Sequence, residues 1–407
     1  MKSNTLLCKT ALQVVGTLQE HDFIAYYAGG CVRDMLMGRI SEDIDIATDA
    51  SPGQVRELFP RSIAVGEQFG VVIVIENGIQ FEVATFRQDA DYYDGRRPSS
   101  IVATTPEEDA QRRDFTINGL FYDPLRKELY DYVEGRKDLN LKLIRAIGNP
   151  LERFQEDRLR MLRAVRFSVR FGYPIEAETE KAIMMMSSGL FPAVSVERVA
   201  QEFKKMILSG SFQEALLELE RLGLLRVIFP KIDFDLLERI KHFHHMNTQT
   251  PLILYLLELF RGLSEASFKD LSYGLNLSNH DRKYIKTYIM LERLDKEEFD
   301  VLEGVRFYSQ ELSQECVEVV AVRRGGDYLK VHIDNMNNFS SYIERIKNSR
   351  PLVSSADLME CGVEPGRNMG ILLHLAEDIS IRNGLEDKGF VIKLLKDTEE
   401  WGDYVKD

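Results

Sequence analysis

The chain is 407 residues long, 44% hydrophobic and 29% charged, which exceeds what one core ordinarily serves and predicts a soluble globular protein of two or more domains. Its formal net charge is −13 and its pI near 5.2, which argues against a general nucleic-acid binder. Any RNA contact is confined to local basic patches, the densest being Arg153, Arg158, Arg160, Arg163, Arg166 and Arg170, opposed there by Glu156 and Asp157. Cys8, Cys31, Cys316 and Cys361 are scattered without a C-x-x-C pair and read as free thiols in a reducing compartment. Met1 to Thr10 carries no leader-like run and no stretch is long enough to span a membrane, so a cytoplasmic protein without a membrane partner is expected. Oligomeric state is not indicated.

Residues 1–20 place Leu7, Ala11, Leu12, Val14, Val15 and Leu18 at helical spacing, predicting an amphipathic helix. Phe23 to Ala28 is apolar and aromatic and reads as a short buried strand, ended by Gly29-Gly30, after which Val32 to Met37 begins a helical pattern. A strand, a tight glycine turn and a helix N-terminus let backbone N–H groups approach a phosphate, although a glycine pair by itself is ordinarily only a turn. In Asp43-Ile44-Asp45-Ile46 the two carboxylates fall on one face of a predicted strand and the isoleucines on the other. Two like charges side by side repel, and divalent cations holding a nucleotide triphosphate would compensate them.

Ser51-Pro52 reads as a capped helix start leading into Val55 to Phe59. Val71 to Ile75 and Ile79 to Phe86 flank Glu76-Asn77-Gly78, a strong hairpin signal. On the second run Glu82 alternates with Phe81 and Val83, so it points off the apolar face, either into solvent or toward Asp43 and Asp45. Arg87 to Ser100 is polar, aromatic and glycine-containing and reads as a mobile loop. From Glu107 a helical pattern runs through Arg112-Arg113-Asp114-Phe115-Thr116-Ile117-Asn118-Gly119-Leu120, placing Asp114 and Asn118 on one helix face beside Arg113. Arg113 suits a triphosphate; Asp114 and Asn118 suit a ribose hydroxyl, or, more blandly, form a solvated surface pair. Leu129 to Val133 is a further strand candidate.

Beyond residue 150 strand signals fade and serial amphipathic helices follow, interrupted near Gly210, Gly274 and Arg350-Pro351. The fold class is therefore α+β, a head with a mixed β-sheet followed by an all-α remainder. Arg153, Asp157 and Arg160 lie along one predicted helix face, with Leu159, Leu162, Val165 and Val169 along the roughly opposite one. Such a helix is ordinarily a surface helix with weak ion pairs. An ionised Asp, however, only accepts hydrogen bonds and an Arg only donates them. Cytosine and adenine each offer an amino donor beside a ring-nitrogen acceptor, and guanine and uracil present the reverse, so an Asp-Arg pair on a rigid helix suits selection of CTP and ATP without a nucleic-acid template. Ser195 in Val194-Ser195-Val196-Glu197-Arg198-Val199 is predicted to cap another helix. His242, His244 and His245 lack the spacing of a metal or phosphohydrolase site.

In this order and separation, Gly29-Gly30-Cys31-Val32-Arg33-Asp34 with Asp43-Ile44-Asp45 resembles the head signature of the DNA polymerase β-type nucleotidyltransferases. More narrowly it resembles the class II tRNA nucleotidyltransferases (CCA-adding enzymes) and bacterial poly(A) polymerases. The resemblance is specific over residues 25–210 and weak over 211–350. It implies a catalytic head over 1–148, a helical neck over 149–210, a helical body over 211–350 and an RNA-binding tail over 351–407. It also implies Mg²⁺ on Asp43 and Asp45, and Glu82, which strand alternation allows on the same side, is the candidate for a third catalytic carboxylate. Gly29, Gly30, Arg33 and Arg113 would contact the triphosphate, Asp114 and Asn118 the sugar, and Asp157 and Arg160 the base, with Arg163 and Arg166 holding phosphates or ordering the helix. Gly119 stands where Ala is also common in the family.

The implied reaction is template-independent addition of CCA to the tRNA 3′ end from CTP and ATP, with release of pyrophosphate. The loop Tyr92 to Pro98 disfavours a CC-adding enzyme, and Val65-Gly66-Glu67-Gln68-Phe69-Gly70-Val71 looks more like the CCA-adding than the poly(A) polymerase version. A poly(A) polymerase, an A-adding tRNA nucleotidyltransferase and a non-catalytic RNA-binding protein on the same scaffold remain alternatives.

Overall fold

The structure, a computed structural model, describes residues 5–64, 70–89, 101–230, 235–264, 267 and 277–404. Its contacts divide the chain into two compact units, Met1–Phe234 and Asp235–Asp407. The division falls after residue 234, where the helices that follow residue 210 pack back onto those before it.

In the first unit, α1 (Thr5–Glu20) is followed by β1 (Ala25–Ala28), α2 (Gly30–Leu36), β2 (Ile46–Thr48) and α3 (Pro52–Leu58). Strands β3 (Ser62–Ile63), β4 (Val71–Glu76), β5 (Ile79–Thr85), β6 (Arg87–Asp89) and β7 (Ile101–Ala103) come next. Helix α4 (Pro106–Gln111), strands β8 (Leu120–Asp123) and β9 (Glu128–Asp131), and α5 (Gly135–Leu141) complete the head. The main sheet runs β3-β4-β5-β2-β1-β8-β9. Neighbours are antiparallel except β2 and β5, which pair in parallel with Ile46 opposite Val83, making the sheet mixed as expected.

Local chemistry accounts for these elements. Asn77 and Gly78 both take positive φ (50° and 77°), the backbone a two-residue hairpin turn requires. The Ser51 side chain caps α3 and Gln54 answers it in a capping box. One face of the sheet buries Ala25, Ile46, Val72, Val74, Phe81 and Val83 against Leu7, Ala11, Val14, Val15 and Leu18 of α1 and Val55 of α3. Leu12, expected on that stripe, is exposed. The other face carries an aromatic cluster in which Tyr26 stacks on Tyr130 at 4.8 Å and Phe86 meets Phe121 edge-on at 5.7 Å.

Four expectations are corrected by the fold. Asp43 and Asp45 precede β2 rather than lie in it, as an extended segment with Ile44 buried and both acids exposed. The stretch 107–120 is not one helix: α4 stops at Gln111, a 3₁₀ turn spans Thr116–Asn118, and Leu120 already belongs to β8. Arg87–Asp89 and Ile101–Ala103 pair as a two-stranded sheet, so the expected loop begins later than residue 87, while 90–100 lie outside the described residues. The 65–69 part of the Val65–Val71 segment lies outside them too.

The fourth and largest break with expectation is at Asp157. Helix α6 (Pro150–Glu156) ends there, with Asp157 extended at φ −147° and ψ 104°, before α7 (Leu159–Phe171) begins. Arg153, Asp157 and Arg160 therefore do not share one continuous helix. There follow α8 (Ala177–Met186), which packs on α6, α9 (Leu190–Ala193), α10 (Val196–Leu208), α11 (Phe212–Arg221) and α12 (Leu224–Ile228), with α10 and α11 packed against α7. Ser195 holds the N-cap position of α10 with extended backbone but makes no side-chain cap bond. No named strand follows Asp131 among the described residues.

The second unit is helical: α13 (Leu236–Ile240), α14 (Leu252–Leu259), α15 (Asn279–Leu294), α16 (Val301–Tyr308), α17 (Ser313–Arg324), α18 (Gly326–Asn338), α19 (Ser340–Lys347), α20 (Ser355–Glu360), α21 (Arg367–Asn383), α22 (Lys388–Lys396) and α23 (Glu399–Tyr404). Val353, Leu358, Val363, Leu372, Val391 and Leu395 form a core of their own at its C-terminal end. Glu258, fully buried on α14, receives Tyr288 Oη at 2.7 Å and Arg323 Nε at 2.8 Å, with His242 Nε2 at 3.1 Å. His242 thus lies against a buried polar hub, and among the described residues no histidine, cysteine and carboxylate group suits a metal.

The 3₁₀ turn sits hard against the start of α5. A Cβ on Gly135 would press into the Thr116 carbonyl oxygen and Leu120, whereas a Cβ on Gly16, inside α1, meets nothing within 4 Å. In urea unfolding, Gly135→Ala is expected to cost about 2–3 kcal/mol through overpacking, and Gly16→Ala to add about 0.5–1 kcal/mol through helix propensity.

Candidate active site

The glycine turn is where the head's elements converge. Gly29 takes φ +70°, its amide donates to the Leu120 carbonyl at 3.0 Å and its carbonyl accepts from the Arg33 amide at 3.1 Å. A Cβ there would come within 2.8 Å of Arg113 Nη1, so glycine is needed both for the backbone and for the approach of that guanidinium. Gly30 opens α2.

Strand pairing brings the acids to the same region. The Asp45 carbonyl accepts from the Ala28 amide at 3.0 Å, tying its segment to the end of β1. The parallel β2–β5 register places Asp45 beside Glu82, which is exposed while Phe81 and Val83 are buried. Loss of solvent around it, then the Asp43 and Glu82 carboxylates, push the Asp45 carboxyl up to about 6, with Arg113 pulling the other way. The structure thus brings Asp43, Asp45 and Glu82 within electrostatic reach of one another and of Arg113. Hard carboxylate oxygens of this kind suit a divalent cation of the magnesium type. Among the described residues no three such side chains close into a cage, which fits an ion completed by phosphate and water oxygens.

Arg113 is held from behind. Asp109, only 1% exposed, accepts Arg113 Nε at 3.1 Å and Nη2 at 3.0 Å on one oxygen; its other oxygen accepts Arg112 Nε at 2.8 Å and the Arg87 amide at 3.2 Å. Burial would raise the Asp109 carboxyl, but the two guanidinium groups hold it below the usual carboxylate range. Arg113 Nη1 also donates to the Asn118 carbonyl at 3.2 Å.

Asp114 and Asn118 meet even though no α-helix joins them. Asn118 Nδ2 donates to Asp114 Oδ1 at 2.9 Å, and Asn118 Oδ1 accepts Arg33 Nη1 at 2.6 Å. Arg33 is buried, its Nε bound to Asp34 at 2.9 Å, so in this structure it orients Asn118 beneath the turn. Asp114 Oδ2 accepts Arg163 Nε at 2.7 Å. Burial works against ionisation of Asp114, yet Arg163, the Asn118 amide and the Phe115 amide bring its carboxyl down to about 2.

The base-selecting candidates are each engaged elsewhere. Arg198 grips Asp157 with both terminal nitrogens, at 3.2 and 2.7 Å, and Asp157 Oδ1 also caps the Leu159 amide at 3.0 Å. Arg160 donates to Glu156 at 2.7 Å and to the carbonyls of Arg153 and Arg112 at 3.0 and 3.2 Å. The Arg112 carbonyl therefore links base-side Arg160 to the Asp109 clamp. Arg166 is buried and paired with Glu202 at 2.5 Å, a placement that orders α7 against α10 and leaves no access to a phosphate.

Asp109, Arg198 and Glu202 were not singled out as site residues from sequence. Asp109 stands three and four residues before Arg112 and Arg113, a helical ion-pair spacing that signals the clamp. For Glu202 no local signal exists, since its partner Arg166 is distant in the chain.

The Asp114–Arg163 pair yields a pH signature. A carboxyl held at about 2 contributes stability that is full above its unfolded pKa near ~4 and is lost as pH falls toward 2. The stability gap between the parent chain and Asp114→Asn is expected to shrink by about 2 kcal/mol between pH 5 and pH 2 in denaturant titrations; a constant gap contradicts the assignment.

The family model described as the Poly A polymerase head domain matches residues 25–145, and that described as the probable RNA and SrmB-binding site of polymerase A matches 172–236. The CCA-adding enzyme of Ligilactobacillus salivarius (strain UCC118) is 32% identical over 399 residues, 95% of this chain and 96% of the relative. That of Bacillus subtilis (strain 168) is 47% identical over 207 residues, 51% of this chain and 52% of the relative. Against several curated relatives, including the Geobacillus and Bacillus pumilus enzymes, the match spans about half of the relative's length (51% and 49%). The crystal structure of the Bacillus stearothermophilus CCA-adding enzyme in complex with CTP superposes with a TM-score of 0.75 at 26% identity, covering 96% of this chain and 98% of that one. No helix among the described residues is long and apolar enough to cross a membrane. With the glycine turn, the acids and the arginine clamp all inside the stretch that matches the head model, and with identity sustained from end to end of the Ligilactobacillus enzyme, this chain belongs to the CCA-adding enzyme family.

Proposed function

We propose that the protein is a nucleotidyltransferase that adds CCA to the 3′ end of tRNA from CTP and ATP, without a nucleic-acid template. The observation that carries this reading is the convergence of Asp43, Asp45 and Glu82 on the glycine turn and Arg113. Oxygen donors and a guanidinium meet there as a nucleoside triphosphate and its cations require. Asp43 and Asp45 would hold Mg²⁺, with Glu82 as a third carboxylate beside them. When bound, Mg²⁺ would lower the pKa of the RNA 3′-hydroxyl and neutralise charge on the departing pyrophosphate.

The protein's own groups do the positioning. Gly29 and Gly30 let the phosphates approach the backbone, and Arg113, aimed by Asp109, pairs with them. Asn118, held by Asp114 and Arg33, faces the sugar. Asp157 and Arg160 read the base; for this, the Asp157 edge exchanges Arg198 for the amino group of cytosine or adenine, and Arg160 turns one N–H to the ring nitrogen. Both Arg198 and Asp157 keep some solvent access, 15% and 18% of their side chains, so the exchange needs no unpacking. Head (1–148), neck (149–210), body (211–350) and tail (351–407) are the functional divisions we assign, the last two gripping tRNA by shape and phosphate contacts. A reducing, cytoplasmic setting agrees with four free cysteines.

The direct test supplies a tRNA transcript ending at the discriminator base with Mg²⁺ and CTP or ATP, alone and together, and sequences the 3′ ends. A CCA end that stops is the expected product. A variable A tail indicates a poly(A) polymerase, one A on tRNA already ending in CC an A-adding enzyme, and no incorporation a non-catalytic scaffold. Asp45→Ala is expected to lower incorporation by about 10³-fold or more. Asp157→Ala should relax choice among the four nucleotides more than it slows incorporation, read as the ratio of kcat/KM values; unchanged selectivity rejects the base-reading role.

A further inference from the structure

Helix α7 carries a row of arginines, Arg163, Arg166 and Arg170, whose compensation stops part-way. Arg163 is neutralised by Asp114 and Arg166 by Glu202. Arg170, the last of the row, is exposed and has no ion pair or side-chain hydrogen bond among the described residues. Its guanidinium lies 5.3 Å from the centre of the Phe171 ring. Arg39, reaching in from the segment between α2 and Asp43, lies 5.3 Å from the same centre and is likewise exposed with no carboxylate partner among the described residues. Arg33 approaches that ring at 4.7 Å. Phe171 in turn stacks on Phe167 at 6.0 Å.

Three guanidinium groups on one ring repel one another, and aromatic faces offset only part of that cost. In a chain of net charge −13, every buried arginine of this seam is given its own acid, and the two outer ones have none among the described residues. Leu36 and Ile40, 39% and 64% exposed, flank Arg39 and add apolar surface beside the charge. Bare cations seated over the buried Phe171 ring, with exposed apolar edges beside them, match a single-stranded nucleic acid, with phosphates on the arginines and sugar or base on the apolar edges. The segment carrying Arg39 runs directly into Asp43.

We propose that Arg39 and Arg170, seated on Phe171, form a docking surface for backbone phosphates of the RNA strand whose 3′-hydroxyl is extended, delivering that end to the acids. That this strand is the one extended rests on the nucleotidyltransferase reading, but the test does not require turnover.

The experiment measures binding of a fluorescent RNA hairpin with a single-stranded 3′ end, by anisotropy, without nucleotide and over a range of salt. Arg39→Gln/Arg170→Gln is expected to weaken binding about tenfold and to flatten the slope of log Kd against log salt by about 1–1.5, as loss of two single-strand phosphate contacts requires. Arg39→Lys/Arg170→Lys, which keeps the charge, should stay within about threefold of the parent. The KM for CTP should not follow the RNA Kd. Unchanged Kd and slope in the double Gln variant overturn the proposal, as does a rise in CTP KM with RNA binding intact, which would make the patch a triphosphate site. If the double Gln variant is shown by thermal melting to be unfolded, the single variants carry the same test, each with about half the slope change. A parent chain that binds RNA but incorporates no nucleotide refutes the enzymatic reading and leaves this surface to be judged by its own binding data.

Discussion

Guanidinium groups buried beside an active face need acids at fixed distance, and this requirement governs the seam between sheet and helices. An arginine does not discharge itself by losing a proton, so each one taken out of water has to meet a carboxylate or a set of carbonyls. Asp34 answers Arg33, Asp114 answers Arg163, and Glu202 answers Arg166. Asp109 answers Arg112 and Arg113 together. Because Asn118 accepts from Arg33 and donates to Asp114, the first two pairs are joined through one amide. The glycine turn, the 3₁₀ turn and the first half of α7 are thus positioned by a common set of charges rather than by the sheet alone.

Against that background the acids in front of the turn stand out. Asp114 is held at about 2 by its cation and donors, while Asp45, short of solvent and flanked by acids, is raised to about 6. Loss of solvent raises both carboxyls; at Asp114 the neighbours reverse that and at Asp45 they add to it, and the one left with surplus negative charge is where a cation-borne substrate belongs. The interior spends its carboxylates on holding arginines still; the front face keeps its carboxylates free for an incoming ligand.

Much of this was readable from residue order. Asn77-Gly78 gave the hairpin, Ser51-Pro52 the capped helix, and the alternation of Phe81, Glu82 and Val83 put Glu82 on the side where it is found. The α+β class followed from the change of texture after the head. What was not readable has a common cause: periodicity reports which residues share a face only while one element persists. Across Asp157 the hydrophobic spacing continues but the backbone does not, and from Asp114 to Asn118 the helical spacing is reproduced by a tighter turn. The long-range partners Arg198 and Glu202 were invisible because ion pairs between helices leave no mark on local pattern. Residues 65–69 and 90–100, on which the distinction among family members leaned, lie outside the described residues.

The reciprocal pairing across α7 also bears on how such a sequence is free to drift. Arg166 and Glu202 have each other as principal partner in a buried place, so replacing either alone strands a charge, at a cost of about 3–5 kcal/mol, whereas replacing both by apolar residues of similar volume is close to neutral. The path between two acceptable states therefore crosses a poor one. Positions 166 and 202 should change together across descendants of this chain, and so should 114 and 163. Arg39 and Arg170, with no acid partner among the described residues to keep in step, are free to vary one at a time wherever selection on their outer surface relaxes.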